Sequence, residues 1–172
     1  KENLTVDYAN TTFYGDIYRY TDVDPYFEYI YQATTKIQAV NTSKALATAV
    51  ANGGNVLLVD DVEVDADSVI TVAAGKTTTL DLNGYTISGE TNTSNTNRDM
   101  FTVKGTLNVS NGTVTIKHTG TDTQFSKSLV IFNVTAGGVL NITDAHVENF
   151  GGESMNFAIH LNNWGTATVN IE

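Results

Sequence analysis

Three polar stretches, Ser88 to Asp99, Lys117 to Ser128 and Glu148 to Asn156, hold most of the residue types that can bind or cleave. They contain Arg98, Asp99, Lys117, His118, Asp122, Lys127, Glu148 and Glu153, with Phe125, Phe150 and Met155 as apolar contacts. A carboxylate such as Asp99 or Glu148 beside Lys117 or His118 would have the equipment for acid–base cleavage of a glycan. Nothing in the spacing brings any two of them within reach, and solvated charge is the default for loop residues. The expectation is therefore a binding rim with no catalytic residue, because loops on a rigid scaffold are where binding residues collect.

Other chemistries have weaker footing. Asp60, Asp61, Asp65 and Asp67 form the nearest cluster for a hard cation, which needs several converging oxygens. Turn acidity explains them equally well, so no metal or cofactor is expected. The three His have no metal-ligand spacing, and neither a phosphate-binding Gly-rich loop nor a G-x-S-x-G elbow occurs. A formal net charge of −10 excludes nucleic acid and an anionic membrane surface as partners, since both demand a basic patch. No run approaches the ~20 apolar residues of a membrane span. With no Cys there is no disulfide framework.

The elements that must carry the three polar stretches are visible as a repeat. Apolar–polar–apolar triplets recur in fixed order: Ile70-Thr71-Val72, Phe101-Thr102-Val103, Phe132-Asn133-Val134 and Ile159-His160-Leu161 form a first series. A second series is Leu80-Asp81-Leu82, Leu107-Asn108-Val109, Leu140-Asn141-Ile142 and Val169-Asn170-Ile171. The third is Tyr85-Thr86-Ile87, Val114-Thr115-Ile116 and Ala145-His146-Val147. Gly75, Gly105, Gly138, Asn83-Gly84 and Asn111-Gly112 fall between them, residues suited to corners. Three short strands per turn cannot bury a face alone and must stack on the next turn. The order predicts an all-β, right-handed parallel β-helix of about four turns. The competing arrangement is an antiparallel sandwich with hairpins at Asn-Gly.

Alternation points the middle residue of each triplet outward. The expected external ladders are Thr71–Thr102–Asn133–His160, Asp81–Asn108–Asn141–Asn170 and Thr86–Thr115–His146. All are nearly neutral, and at most two Thr stack in any of them, so an ice-binding array is not expected. The three polar stretches would leave one corner as a continuous rim. Eight Asn-x-Ser/Thr sequons occur, as composition predicts in a chain with 27 Thr and 18 Asn. Asn108 and Asn141 would sit within a packed ladder and are not read as glycan sites.

A capping helix precedes the repeat, over about residues 43 to 52. Ser43 is the candidate N-cap, Ala45, Leu46, Ala49 and Val50 share a face, and Asn52-Gly53-Gly54 ends it. The run Ser43 to Val62 resembles the opening of pectate-lyase-like β-helix proteins of the bacterial secreted or surface type. Lys76 to Gly89 resembles their early rungs. The resemblance covers residues 43 to 172 and implies the fold and an extracellular setting. For a lyase of the pectate type it would also imply carboxylates holding calcium and an Arg or Lys base on an outer strand face. The neutral ladders depart from that pattern. The same superfamily holds lyases, hydrolases, tailspikes and adhesins, and fold alone does not choose among them.

Residues 1 to 40 form a different segment, holding Tyr8, Tyr14, Tyr18, Tyr20, Tyr26, Tyr29 and Tyr31 and the single Pro. It is expected to pack on or near the solenoid, covering an end or a flank. The rival role for its rings is a sugar-stacking platform, with Asp16, Asp22, Asp24 and Glu28 bonding hydroxyls. The chain opens at Lys1 and closes inside the strand-like run Ala167 to Glu172, which reads as a portion of a longer polypeptide. Further chain or another subunit is expected over its C-terminal end. The functional expectation is a non-catalytic module of a secreted or cell-surface protein, presenting a surface for adhesion, glycan recognition or domain spacing. The alternative is a polysaccharide lyase or glycoside hydrolase acting on an extracellular glycan. Expected partners are an extracellular polysaccharide or a surface protein.

Overall fold

Short runs of Val, Ile, Leu and Thr with every second side chain apolar bury one face only when each finds an identical run above and below it. A computed structural model of the protein describes residues 28–32, 35–65, 68–91, 98–119, 129–151, 156–162 and 165–172. The elements are β1 (Glu28–Gln32), β2 (Thr35–Val40), α1 (Ser43–Asn52), β3 (Gly54–Leu58), β4 (Val62–Val64), β5 (Ile70–Val72), β6 (Thr77–Asp81) and β7 (Thr86–Thr91). They continue as β8 (Arg98–Val103), β9 (Thr106–His118), β10 (Leu129–Val134), β11 (Val139–Phe150), β12 (Asn156–Leu161) and β13 (Thr168–Ile171).

The chain winds as a parallel β-solenoid. One ladder runs β5–β8–β10–β12 in parallel register. A second joins β2, β3, β6, the first half of β9, the first half of β11, and β13. The third joins β4, β7 and the second halves of β9 and β11. Among the described residues only β1 and β2 pair antiparallel. The hairpin expected of a sandwich at Asn83-Gly84 does not form, since β6 and β7 both lie parallel to β9.

Asn-Gly marks a corner instead. Asn83, Asn111 and Asp144 adopt positive φ of 51°, 61° and 50°, and the Gly84 N–H donates to Asn111 O at 2.6 Å in the next turn. At Gly112 an added Cβ would lie 2.5 Å from Tyr85 O, so the chains approach too closely for any side chain. Asn tolerates the left-handed region, and a β-branched residue there is strained. Asn111→Val is expected to cost about 1–2 kcal/mol while Asn111→Gly stays within about 0.5 kcal/mol. Urea unfolding of the two variants reads the difference, and equal losses would remove the conformational account.

The inward columns make the core. Ile70, Phe101 and Phe132 are fully buried, and the two Phe rings stack with centroids 5.1 Å apart. Val56, Leu80, Val109 and Ile142 form a second column, and Val62, Ile87 and Val114 a third. The cap α1 buries Ala45, Leu46, Ala49 and Val50 as its periodicity predicts. Its N-cap is Thr42 rather than Ser43: Thr42 Oγ1 accepts from Ala45 N at 3.2 Å. Ser43 is buried and accepts from Asp65 N instead. Gly53, with φ 80°, closes the helix. The Thr78 hydroxyl, also buried, donates to Val50 O at 3.0 Å and ties the helix end to β6. Of the N-terminal segment, β2 extends the second ladder beyond β3. Tyr8, Tyr14, Tyr18, Tyr20 and Tyr26 lie outside the described residues.

Two of the expected external ladders are corrected by two residues. The second runs Thr79–Asn108–Asn141–Asn170, and Asp81 pairs with Ser110 one step further on. The third aligns Thr86 with Thr113 and His146, while Thr115 aligns with Ser88 and Glu148. A shift of two preserves inward–outward alternation, so the triplet pattern is blind to it. The corrected second ladder is a chain of amide bonds. Asn170 Nδ2 donates to Asn141 Oδ1 at 2.6 Å, Asn141 Nδ2 to Asn108 Oδ1 at 2.6 Å, and Asn108 Nδ2 to Thr79 Oγ1 at 3.2 Å. The ladder of Thr71, Thr102, Asn133 and His160 stands as expected.

Candidate functional site

Loops collect at one place only if the strands that feed them are stacked. Here they are. Thr91 and His118, which end β7 and β9, are register partners, and Thr119 N donates to Thr91 O at 2.8 Å. Arg98, Leu129 and Asn156, which open β8, β10 and β12, are partners on the far side. The three polar stretches thus leave the same corner. Asp122, Lys127, Glu153, Phe125 and Met155 lie outside the described residues, as does Asp67.

The base of this corner is stitched from inside. Arg98 is only 7% exposed. Its Nη1 donates to Glu90 O at 2.6 Å, and its Nη2 to Asp65 O at 3.1 Å and Val64 O at 3.5 Å. It occupies an inward position, and these donors tie β7 to β4 and the residue that follows it. Asn149 acts alike two turns further on, where an inward apolar residue would otherwise stand. Its Nδ2 donates to Leu129 O at 3.0 Å and Phe157 O at 3.1 Å, bridging β10 and β12.

The remaining charged residues divide between the two flanks. Exposed Glu90, Lys117 and Phe150 align on one flank. His118 stands behind them, partly buried. Glu148 aligns with Thr115, not Lys117, and pairs with His146 Nε2 at 2.9 Å. On the other flank Asp99 faces out, and its Oδ2 accepts from Asn133 Nδ2 at 2.5 Å. The structure therefore brings together Asp99 with Asn133 and His146 with Glu148. Asp60 and Asp61 serve their turns, Asp60 Oδ1 accepting from Asp61 N and Asp61 Oδ1 from Thr86 N. Among the described residues no three His, Cys, Asp or Glu converge as a metal site.

Sequence reasoning missed Phe157, and placed Asn133 and His160 only as ladder positions. Phe157 and His160 have ring centroids 5.3 Å apart although they are three residues apart on one strand. Strict alternation puts such residues on opposite faces. A bend resets it: Met100 and Phe101 are both buried, as are Ile131 and Phe132, so the residues before and after the bend share the outer face. The doubled apolar pairs Met100-Phe101 and Ile131-Phe132 were the available signal.

Among the described residues no helix is long and apolar enough to cross a membrane. Comparison of the chain with protein-family models, with curated proteins and with solved structures finds no match in any of the three.

Proposed function

We propose that this chain is a non-catalytic β-solenoid module of a secreted or cell-surface protein, and that it recognises an extracellular glycan at the loop-bearing corner. The observation that carries the reading is the pair of exposed rings flanking that corner. Phe150 is 50% exposed on one side and Phe157 38% on the other, each beside polar side chains. Sugars present apolar C–H faces to aromatic rings and hydroxyls to carboxylates and amides, and a rigid scaffold keeps such groups pre-arranged. Of the residues that would serve cleavage, Asp99 is engaged by Asn133 and Glu148 by His146, while Arg98 donates to backbone carbonyls. The likeness of residues 43 to 172 to pectate-lyase-like proteins supports the extracellular setting.

A glycan array probed with the whole chain, with eluates analysed for shortened products, tests this. Retention without cleavage is expected. Shortened products would make the chain a lyase or hydrolase, and retention on no glycan would leave adhesion to protein or domain spacing.

A further inference from the structure

The two ends of the solenoid differ. At the N-terminal end α1 packs its apolar face on the core, and β1 pairs along the edge of β2. At the other end Ile159, Leu161, Val169 and Ile171 continue the inward columns of buried Phe132, Val134, Leu140 and Ile142. Among the described residues no strand lies beyond them, and Leu161 and Ile171 are 48% and 67% exposed. Their backbone is open as well. One rung below, Val134 O accepts from Asn162 N at 2.9 Å and Ile142 O from Glu172 N at 3.0 Å. The Leu161 and Ile171 carbonyls hold the same places with no described N–H above them. Edge strands that face solvent are ordinarily guarded by charge or proline. Neither β12 nor β13 contains Asp, Glu, Lys, Arg or Pro.

The Asn ladder has a direction that selects the occupant. Asn170 gives its NH2 to Asn141 and Asn141 gives its own to Asn108, so each oxygen accepts from the rung above. Asn170 is the last of them, exposed, and its Oδ1 has no donor among the described residues. Independently of glycan recognition, we infer that this end seats one further parallel rung, whose strand over β13 reads apolar–Asn–apolar. The Asn donates to Asn170 Oδ1, and the apolar pair covers Val169 and Ile171. A second copy of the chain fits the end poorly. Head-to-tail stacking meets α1 and β1, which already close the N-terminal end. Tail-to-tail stacking reverses the strand direction. With the two β13 strands in line, it sets one Asn170 Oδ1 against the other, two acceptors with no proton between them.

The test is binding of the whole chain to a synthetic peptide with the sequence of residues 129 to 143, which carries Leu140, Asn141 and Ile142. Laid one rung beyond the end, it places them over Val169, Asn170 and Ile171. Saturable binding is expected, with none to a scrambled peptide. Asn141→Leu within the peptide weakens binding about tenfold, the worth of one hydrogen bond. Ile171→Lys in the protein abolishes it, while thermal unfolding stays within a few degrees of wild type because that side chain is exposed. Strand direction is read by cross-linking, since the chain has no Cys of its own. Thr168→Cys forms a disulfide with a peptide bearing Val139→Cys if the strands are parallel, as those positions are register partners. A disulfide with a peptide bearing Thr143→Cys instead would show antiparallel pairing and overturn the inference. Equal binding of the scrambled or the Asn141→Leu peptide would overturn it too, as would no peptide binding at all. A concentration-dependent dimer abolished by Ile171→Lys would replace the rung with an interface between copies.

Discussion

Phe132→Ala is expected to lower the free energy of unfolding by about 3–5 kcal/mol. Phe132 is fully buried, stacked on Phe101, and aligned with Ile159 in the next rung. In a globular core, neighbours from several directions relax into a cavity. In a solenoid each rung touches only the rungs above and below. The backbone hydrogen bonds of β8, β10 and β12 hold those rungs at fixed spacing, so the cavity stays open. Part of the loss is the ring pair, worth about 0.5–1.5 kcal/mol beyond area burial. A cycle with Phe101→Ala should therefore show coupling of that size, since contacting residues are not additive. Urea unfolding at unchanged slope measures both quantities. A loss under about 1.5 kcal/mol would mean that the column collapses on truncation, contrary to a stack held by its ladders. Exposed Phe157, on the same ladder, should cost less than about 1 kcal/mol when truncated.

That contrast between two Phe residues shows what the sequence carries and what it hides. Inward slots were legible because they repeat: Phe101, Phe132 and Ile159, or Leu107, Leu140 and Val169, each recur in the same place within their rung. Corners were legible through Gly and Asn-Gly. Register was not. Leu80-Asp81-Leu82 looks like the match for Leu107-Asn108-Val109, but the inward partner of Leu107 is Thr78. A Thr reads as polar until a carbonyl is found for its hydroxyl, and that carbonyl belongs to Val50, 28 residues away. The site suffered from the same limits. Asp99, Lys117 and Glu148 announced themselves by type; His146 stands two residues from Glu148 on the same strand and same face, but Asn133 as the partner of Asp99 depends on register and on a bend at Met100. Arg98 looked like a loop residue because polar sequence precedes it. Its alignment with buried Leu129 shows the opposite.

Arg98→Met is accordingly expected to act on the fold and not on recognition, with a loss of about 3 kcal/mol. The guanidinium supplies donors to Glu90 O and Asp65 O, with Val64 O at the limit of reach. Methionine fills similar volume but offers no donor, and each buried carbonyl left unpaired costs about 1–3 kcal/mol. Arg98→Lys should fall between, because an ammonium on a single stem cannot reproduce a planar fork aimed at two strands. Lys117→Met is the control for charge removal at the same corner. That side chain is exposed, and the change should stay within about 0.5 kcal/mol. Hydrogen exchange separates the local from the global effect. Amides at the end of β7 and in the segment leaving β4 should lose protection first in Arg98→Met, because those are the elements the side chain joins. An equal loss of protection at β12 would instead indicate uniform destabilisation. If Arg98 contacted the glycan directly, the variant would lose binding even at temperatures where it is fully folded. Its inward aim predicts unchanged affinity there, with binding lost only as the corner itself unfolds.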